Sequence, residues 1–177
     1  MRLLGYTELF RDLARRHVDL QATEANNRFM RVRIAADPIA QQLDLQEFYS
    51  ALRSRLKAPN GQAIFVLQNY QLDYGDNGGD YFTRQPQGAF YVLRKEKLGG
   101  HDGIDVAIEA CEAIAEEVLA AVVHLQQATY RVKISVADAF AEHVGPVADG
   151  YFGVRMNFTW SETATQDLTY NPAKFST

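Results

Sequence analysis

Oxygen-rich side chains crowd one short stretch, "DYGDNGGD", where Asp73, Asp76, Asn77 and Asp80 are interleaved with three glycines. Hard cations such as calcium take several oxygen ligands, and glycine permits the tight backbone path between them. The spacing argues against that chemistry. An EF-hand loop needs alternate ligands, a glutamate at its twelfth position and flanking helices; here position twelve, counted from Asp73, is Arg84, and the flanks read as strands. Asn77-Gly78 is a favoured turn dipeptide, so the stretch is expected to be a solvated turn at a hairpin tip, with Asp76, Asn77 and Asp80 projecting from it.

The remaining reactive side chains are dispersed. His17, His101, His124 and His143 fall in no HxH or HExxH spacing that would aim two rings at one ion. Cys111 sits on an apolar helix stripe, where a thiol behaves as a small buried hydrophobe. GxGxxG, GxxxxGK[ST] and GxSxG patterns are absent, which leaves no sequence case for dinucleotide, P-loop or hydrolase chemistry. No catalytic, cofactor-binding or metal residue is assigned, and no cofactor is expected.

The elements that position these groups follow from periodicity. Thr7 can cap a first helix, whose apolar positions Leu9, Phe10, Leu13, Ala14, His17 and Leu20 recur at three- and four-residue spacing. "RFMRVRI" alternates Met30, Val32 and Ile34 against Arg31 and Arg33, a half-buried strand with a basic face. Pro38 ends that segment, and a second helix is read from Asp44 through Leu45, Phe48, Tyr49, Leu52 and Leu56. "AIFVLQNYQLDY" and "GAFYVLRKE" are apolar on both faces, as strands covered on both sides are, and should pair as an antiparallel hairpin across a loop at 75–87.

The clearest helix runs from about Ile104 to Gln127. Ile104, Ile108, Cys111, Ala115, Val118, Val122 and Leu125 form its apolar stripe, and Asp105, Glu109, Glu112 and Glu116 a second, acidic one. "YRVKISV" and "GVRMNFTW" read as two more strands, with "AEHVGPVADGY" as the loop between them and 161–177 as a polar tail. The order is that of one α+β domain over 1–177: a mostly antiparallel sheet with a long amphipathic helix and additional helices packed against it.

At 177 residues and 47% hydrophobic content the chain can bury one sizeable core. A formal charge of −4 gives no general attraction to nucleic acid or to anionic membranes. The single cysteine excludes an internal disulfide, and no apolar run is long enough to span a bilayer, so a cytoplasmic setting is expected. The acidic ridge on the long helix could meet basic strips formed by Arg31 and Arg33 on one strand and Arg131 and Lys133 on another, on a neighbouring copy.

The leading helix "YTELFRDLARRH", the hairpin with "GDNGGD" and "GAFYVLRK", the helix "IDVAIEACEAIAEEVLAAV" and the closing "DGYFGVRMNFTW" together resemble small tail-associated proteins of phages and prophage-like elements, in particular the tail terminator or tail-completion class. The resemblance implies a non-enzymatic subunit that forms a ring, of hexameric type, or assists neck and tail assembly with other tail proteins. It carries over no catalytic residue. The segment Arg28 to Leu56 is additional to shorter terminators. A reading of a different class stays open beside it: a small-molecule-binding or enzymatic α+β domain, with a pocket lined by Tyr70, Tyr74, Tyr91, Tyr151 and Trp160.

Overall fold

The structure, a computed structural model, describes residues 1–35, 37–56, 61–96, 100–129, 133–148 and 150–175. Its elements are α1 (Leu3–Arg16), β1 (Phe29–Val32), α2 (Pro38–Arg55), β2 (Ala63–Asp76), β3 (Phe82–Lys95), α3 (His101–Thr129), β4 (Lys133–Val147), β5 (Tyr151–Thr163), α4 (Thr165–Leu168) and a 3-10 turn at Pro172–Lys174. The five strands form one sheet in the order β1-β2-β3-β5-β4. Among the described residues only β1 pairs in parallel, with β2; every other neighbour is antiparallel. This is the α+β architecture expected from the sequence.

Side chains alternate across a strand, so the sheet has two apolar faces to cover. Phe65 and Leu67 of β2, Phe90 and Val92 of β3, and Val154, Met156, Phe158 and Trp160 of β5 point to one face, where α1 and α3 bury them. Ile64, Val66, Leu93 and Tyr151 point to the other, where α2 lies on them through Phe48, Leu52 and Leu56. A helix on each face explains why β2 and β3 read as two-sided apolar runs. It also means that the helices are divided between the faces rather than gathered on one.

Phe10 is the centre of the larger core. Its ring lies 5.0 Å from Tyr6, 5.6 Å from both Phe90 and Phe158, and 6.1 Å from Phe65, so one side chain joins α1 to three strands. Tyr6 stacks on Trp160 at 5.6 Å and donates to the Gln68 carbonyl at 3.0 Å, which satisfies its buried hydroxyl. The tip end of the long hairpin is held to β5 by charge: Glu162 accepts from Arg84 at 3.1 Å and from the Trp160 indole at 2.7 Å, and also pairs with the amino group of Met1. Arg84 reaches Asp167 at 3.0 Å as well, which ties α4 to β3.

Several local expectations are corrected. Thr7 does not cap α1: the helix already runs from Leu3, and the Thr7 hydroxyl donates to the Leu3 carbonyl from inside it. Helix α2 begins at Pro38, not Asp44, because Asp37 accepts from the Ile39 and Ala40 amides and proline suits the first helical turn. The 75–87 loop shrinks to 77–81, since β2 reaches Asp76 and β3 starts at Phe82. The supposed loop "AEHVGPVADGY" is largely strand: β4 continues through Val147, and Pro146 is tolerated there because β4 pairs on one side only. Ile134 faces the core as expected, but Val136 is exposed, because the register with β5 is interrupted between Ser135 and Phe140; Val132 lies outside the described residues. β5 runs to Thr163, past the point at 161 where the tail was expected to begin.

Candidate functional site

Asp76 and Asn77 spend their side chains on the hairpin tip itself. Asp76 accepts from the Gly78 amide at 2.7 Å, and Asn77 accepts from the Gly79 and Tyr81 amides at 3.0 and 3.3 Å. These are turns closed by side-chain oxygens, with Gly78 at a positive φ of 73° that an L side chain seldom adopts. Asp80 is exposed beside them. No group of three or more His, Cys, Asp or Glu side chains that could hold a metal occurs among the described residues. Asp76→Ala, Asn77→Ala and Asp80→Ala should each retain the fold, with losses of about 1 kcal/mol or less for a mutated turn hydrogen bond, and calcium should leave the melting temperature unchanged. A calcium-dependent rise in differential scanning fluorimetry would count against the turn reading.

The acidic row of α3 shares one side of the helix. Cys111, Ala115, Val118 and Val122 turn toward the sheet, which leaves Asp105, Glu109, Glu112 and Glu116 along one flank of α3. That flank leans over β4, as the 3.7 Å approach of Glu112 to His143 fixes. The other flank faces α1, where Glu117 meets His17 at 2.8 Å. Helix direction and side therefore place the acidic row at the β4 edge of the sheet.

The basic residues are not gathered into one surface. Arg31 and Arg33 lie at the opposite edge, on and just beyond β1. Arg31 is half-buried and donates to the Thr7 hydroxyl at 3.2 Å, while Arg33 is exposed. Arg131 lies outside the described residues, and Lys133 opens β4 at the far edge with its side chain outside them too. Arg31 and Arg33 thus stand at one edge, and Lys133 stands at the other together with the acidic helix flank.

Beside β1 runs a groove of about 650 Å³, walled by α2 and lined by Met30, Val32, Phe48 and Ala51 together with Arg31, Arg33 and Arg55. Its ends are tied off. The Asn27 amide donates to the Arg55 carbonyl at 2.7 Å, and the Ala35 N–H donates to Asp44 at 2.7 Å. Asp44 and Glu47 also line it, so its polar rim is mixed in sign.

At the opposite edge the second half of β4 is exposed, and Phe140 keeps 56% of its surface in solvent. A polar network anchors this stretch to β5. Glu142 accepts from Arg155 at 2.8 Å and from Asn157 at 3.0 Å, and Arg155 also contacts Gln68 at 3.4 Å. The hydrogen bond from Arg155, then that from Asn157, holds the Glu142 carboxyl below the usual glutamate range. Phe140, Glu142 and Arg55 escaped the sequence reading. The cue available for Phe140 was a run without glycine or proline, "VADAFAEHV", ahead of Gly145.

The aromatic residues considered for a ligand pocket are separated. Tyr70 and Trp160 pack edge to face at 5.4 Å on the α1 side, Tyr91 and Tyr151 lie on the α2 side, and Tyr74 is exposed near the tip of the β2–β3 hairpin. Cys111 is buried in the core, and burial pushes its thiol up to about 12. No helix among the described residues is long and apolar enough to cross a membrane. No protein-family model matches the chain, and no curated protein matches it.

Proposed function

We propose that this protein is a non-enzymatic assembly subunit of a phage-like tail or tail-derived particle, acting as a ring-forming terminator or completion subunit whose identical copies join edge to edge. The observation that carries the reading is the charge division of the sheet. Arg31, Arg33 and Arg55 outnumber Asp44 and Glu47 around the groove at one outer strand, while Asp105, Glu109, Glu112 and Glu116 flank the other. Two unlike, complementary edges on one chain favour head-to-tail association, which closes into a ring if the rotation permits. Joining two like edges would instead place like charges together. The particle context is supported by the resemblance of the helix, hairpin, long helix and closing hairpin to tail-terminator proteins.

Size-exclusion chromatography with light scattering tests the association. An oligomer is expected at low salt, moving toward monomer as salt approaches about 1 M, where screening shortens to about 3 Å. Glu109→Arg should weaken the oligomer, and a partner chain carrying Arg33→Glu should restore it in the mixture. A monomer at every salt and protein concentration would end the proposal.

A further inference from the structure

We propose that β4 of one copy docks antiparallel on the outer side of β1 in the next copy, so that one sheet crosses the boundary, with Phe140 seated in the groove between β1 and α2. The inference rests on the association of identical copies proposed above and specifies the contact that makes it.

Backbone direction supplies the first argument. The Arg28 carbonyl accepts from the Phe65 amide of β2 at 2.7 Å. Peptide groups alternate sides along an extended strand, so those of Met30 and Val32 also face β2, and those of Phe29 and Arg31 face outward into the groove. Among the described residues no strand occupies that outer side, nor the outer side of β4. An edge strand walled by a helix is a geometry that accepts an added strand through main-chain hydrogen bonds, with side-chain pockets giving specificity.

Strand direction and sheet face supply the second. From the observed pairings, β1, β2 and β5 run one way and β3 and β4 the other. Shifting a copy sideways in the plane of the sheet therefore sets its β1 antiparallel to β4 with the same face upward. On the α3 face, His143 and Ala141 of β4 lie opposite the helix side of β5 residues Val154 and Met156, close under the acidic flank. The next copy presents Arg31 on that same face, since Arg31 turns toward α1. Acid thus meets base. Rotating two β4 edges onto each other would instead bring two acidic flanks together.

The other face supplies the third. Phe140 is paired with Asn157 on the α2 side of the sheet. In the shifted arrangement the neighbour's α2 lies on that side too, and its groove offers the apolar lining Met30, Val32, Phe48 and Ala51 to an aromatic ring now 56% exposed. A buried aromatic anchor within a polar rim is the usual energetic centre of an interface. The Glu142–Arg155–Asn157 network fixes β4 beneath Phe140, so the anchor is held in place before docking.

Three measurements on the full chain decide it. Phe140→Ser should leave the monomer's circular dichroism and melting intact while weakening association about 30-fold or more, the effect of losing a hot-spot residue. Arg31→Pro, which deletes an outward amide, should weaken association well beyond Arg31→Gln, which deletes only the charge. In a mixture, a chain with Arg31→Cys should form a disulfide with one carrying Ala141→Cys or His143→Cys, because antiparallel neighbours place Cα atoms about 4.5–5.5 Å apart. It should not do so with Glu142→Cys, which faces the other side. If the protein associates but Phe140→Ser behaves as the parent, or cross-links join 31 to 142 or β4 to β4, the strand docking is wrong and charge-driven association stands. If the parent never associates, both are wrong.

Discussion

Phe10→Ala is expected to destabilise the protein by about 3–5 kcal/mol, the range for emptying a buried aromatic site. The ring is fully buried and lies within 6.1 Å of Phe65, Phe90, Phe158 and Tyr6, so its removal leaves a void bordered by four aromatic neighbours. Those neighbours are themselves held: Tyr6 by its bond to the Gln68 carbonyl, and Phe65, Phe90 and Phe158 by the sheet. Collapse into the cavity is therefore limited, and the cost falls toward the upper end. For a urea slope of about 2–3 kcal/mol/M the midpoint should fall by roughly 1–2.5 M. A loss below about 1 kcal/mol would mean that α1 is not seated on β2, β3 and β5 through this residue. The same substitution lies far from Phe140 in register and element, so any effect on association should follow only from unfolding.

Gly153→Ala should be of comparable size for the opposite reason, an atom with nowhere to go. A Cβ at this position would lie 2.1 Å from the Val92 carbonyl oxygen and 3.0 Å from the Leu93 Cα. Both are backbone atoms of β3, the strand paired with β5 at this point, so relief requires the strands to separate and not merely a side chain to turn. Overpacking a core ordinarily costs about 1–3 kcal/mol, and a rigid backbone obstacle puts this case at or above the top of that range. Gly78→Ala provides the contrast. Its φ of 73° makes alanine strained, but nothing lies within 4 Å, so the loss should be the conformational penalty alone, about 1–2 kcal/mol. Thermal and urea denaturation of the two variants would compare steric and conformational costs directly. Equal losses would show that β3 and β5 separate more readily here than their pairing implies.

The division of apolar and charged residues along the chain carried the architecture. Cys111, Ala115, Val118 and Val122 recur at the spacing of one helical stripe, and they are the residues that face the sheet. Val154, Met156, Phe158 and Trp160 alternate, and all four are buried on one face. Local periodicity suffices for such elements because each side chain's direction is set by its own backbone geometry. The acidic row Asp105, Glu109, Glu112 and Glu116 was legible for the same reason, and so was the turn at Asn77-Gly78.

What the sequence by itself determined, then, was the identity of the helices and most strands, the antiparallel hairpins, and which residues share a face. It missed the start of α2, although Asp37-Pro38 was a readable capping signal, and it ended β4 at Val136, whereas the strand runs on to Val147. Only the tertiary structure decided that α2 covers the face opposite α1 and α3, that Arg31 and the acidic helix flank stand at opposite edges, and that Phe140 is left uncovered beside them. These depend on strand order and on contacts between residues such as Arg28 and Phe65, or Glu112 and His143, that are far apart in the chain. A hydrophobic period tells a residue which way to face; it does not say which strand lies next to its own, and the edges of a sheet are defined by that order alone.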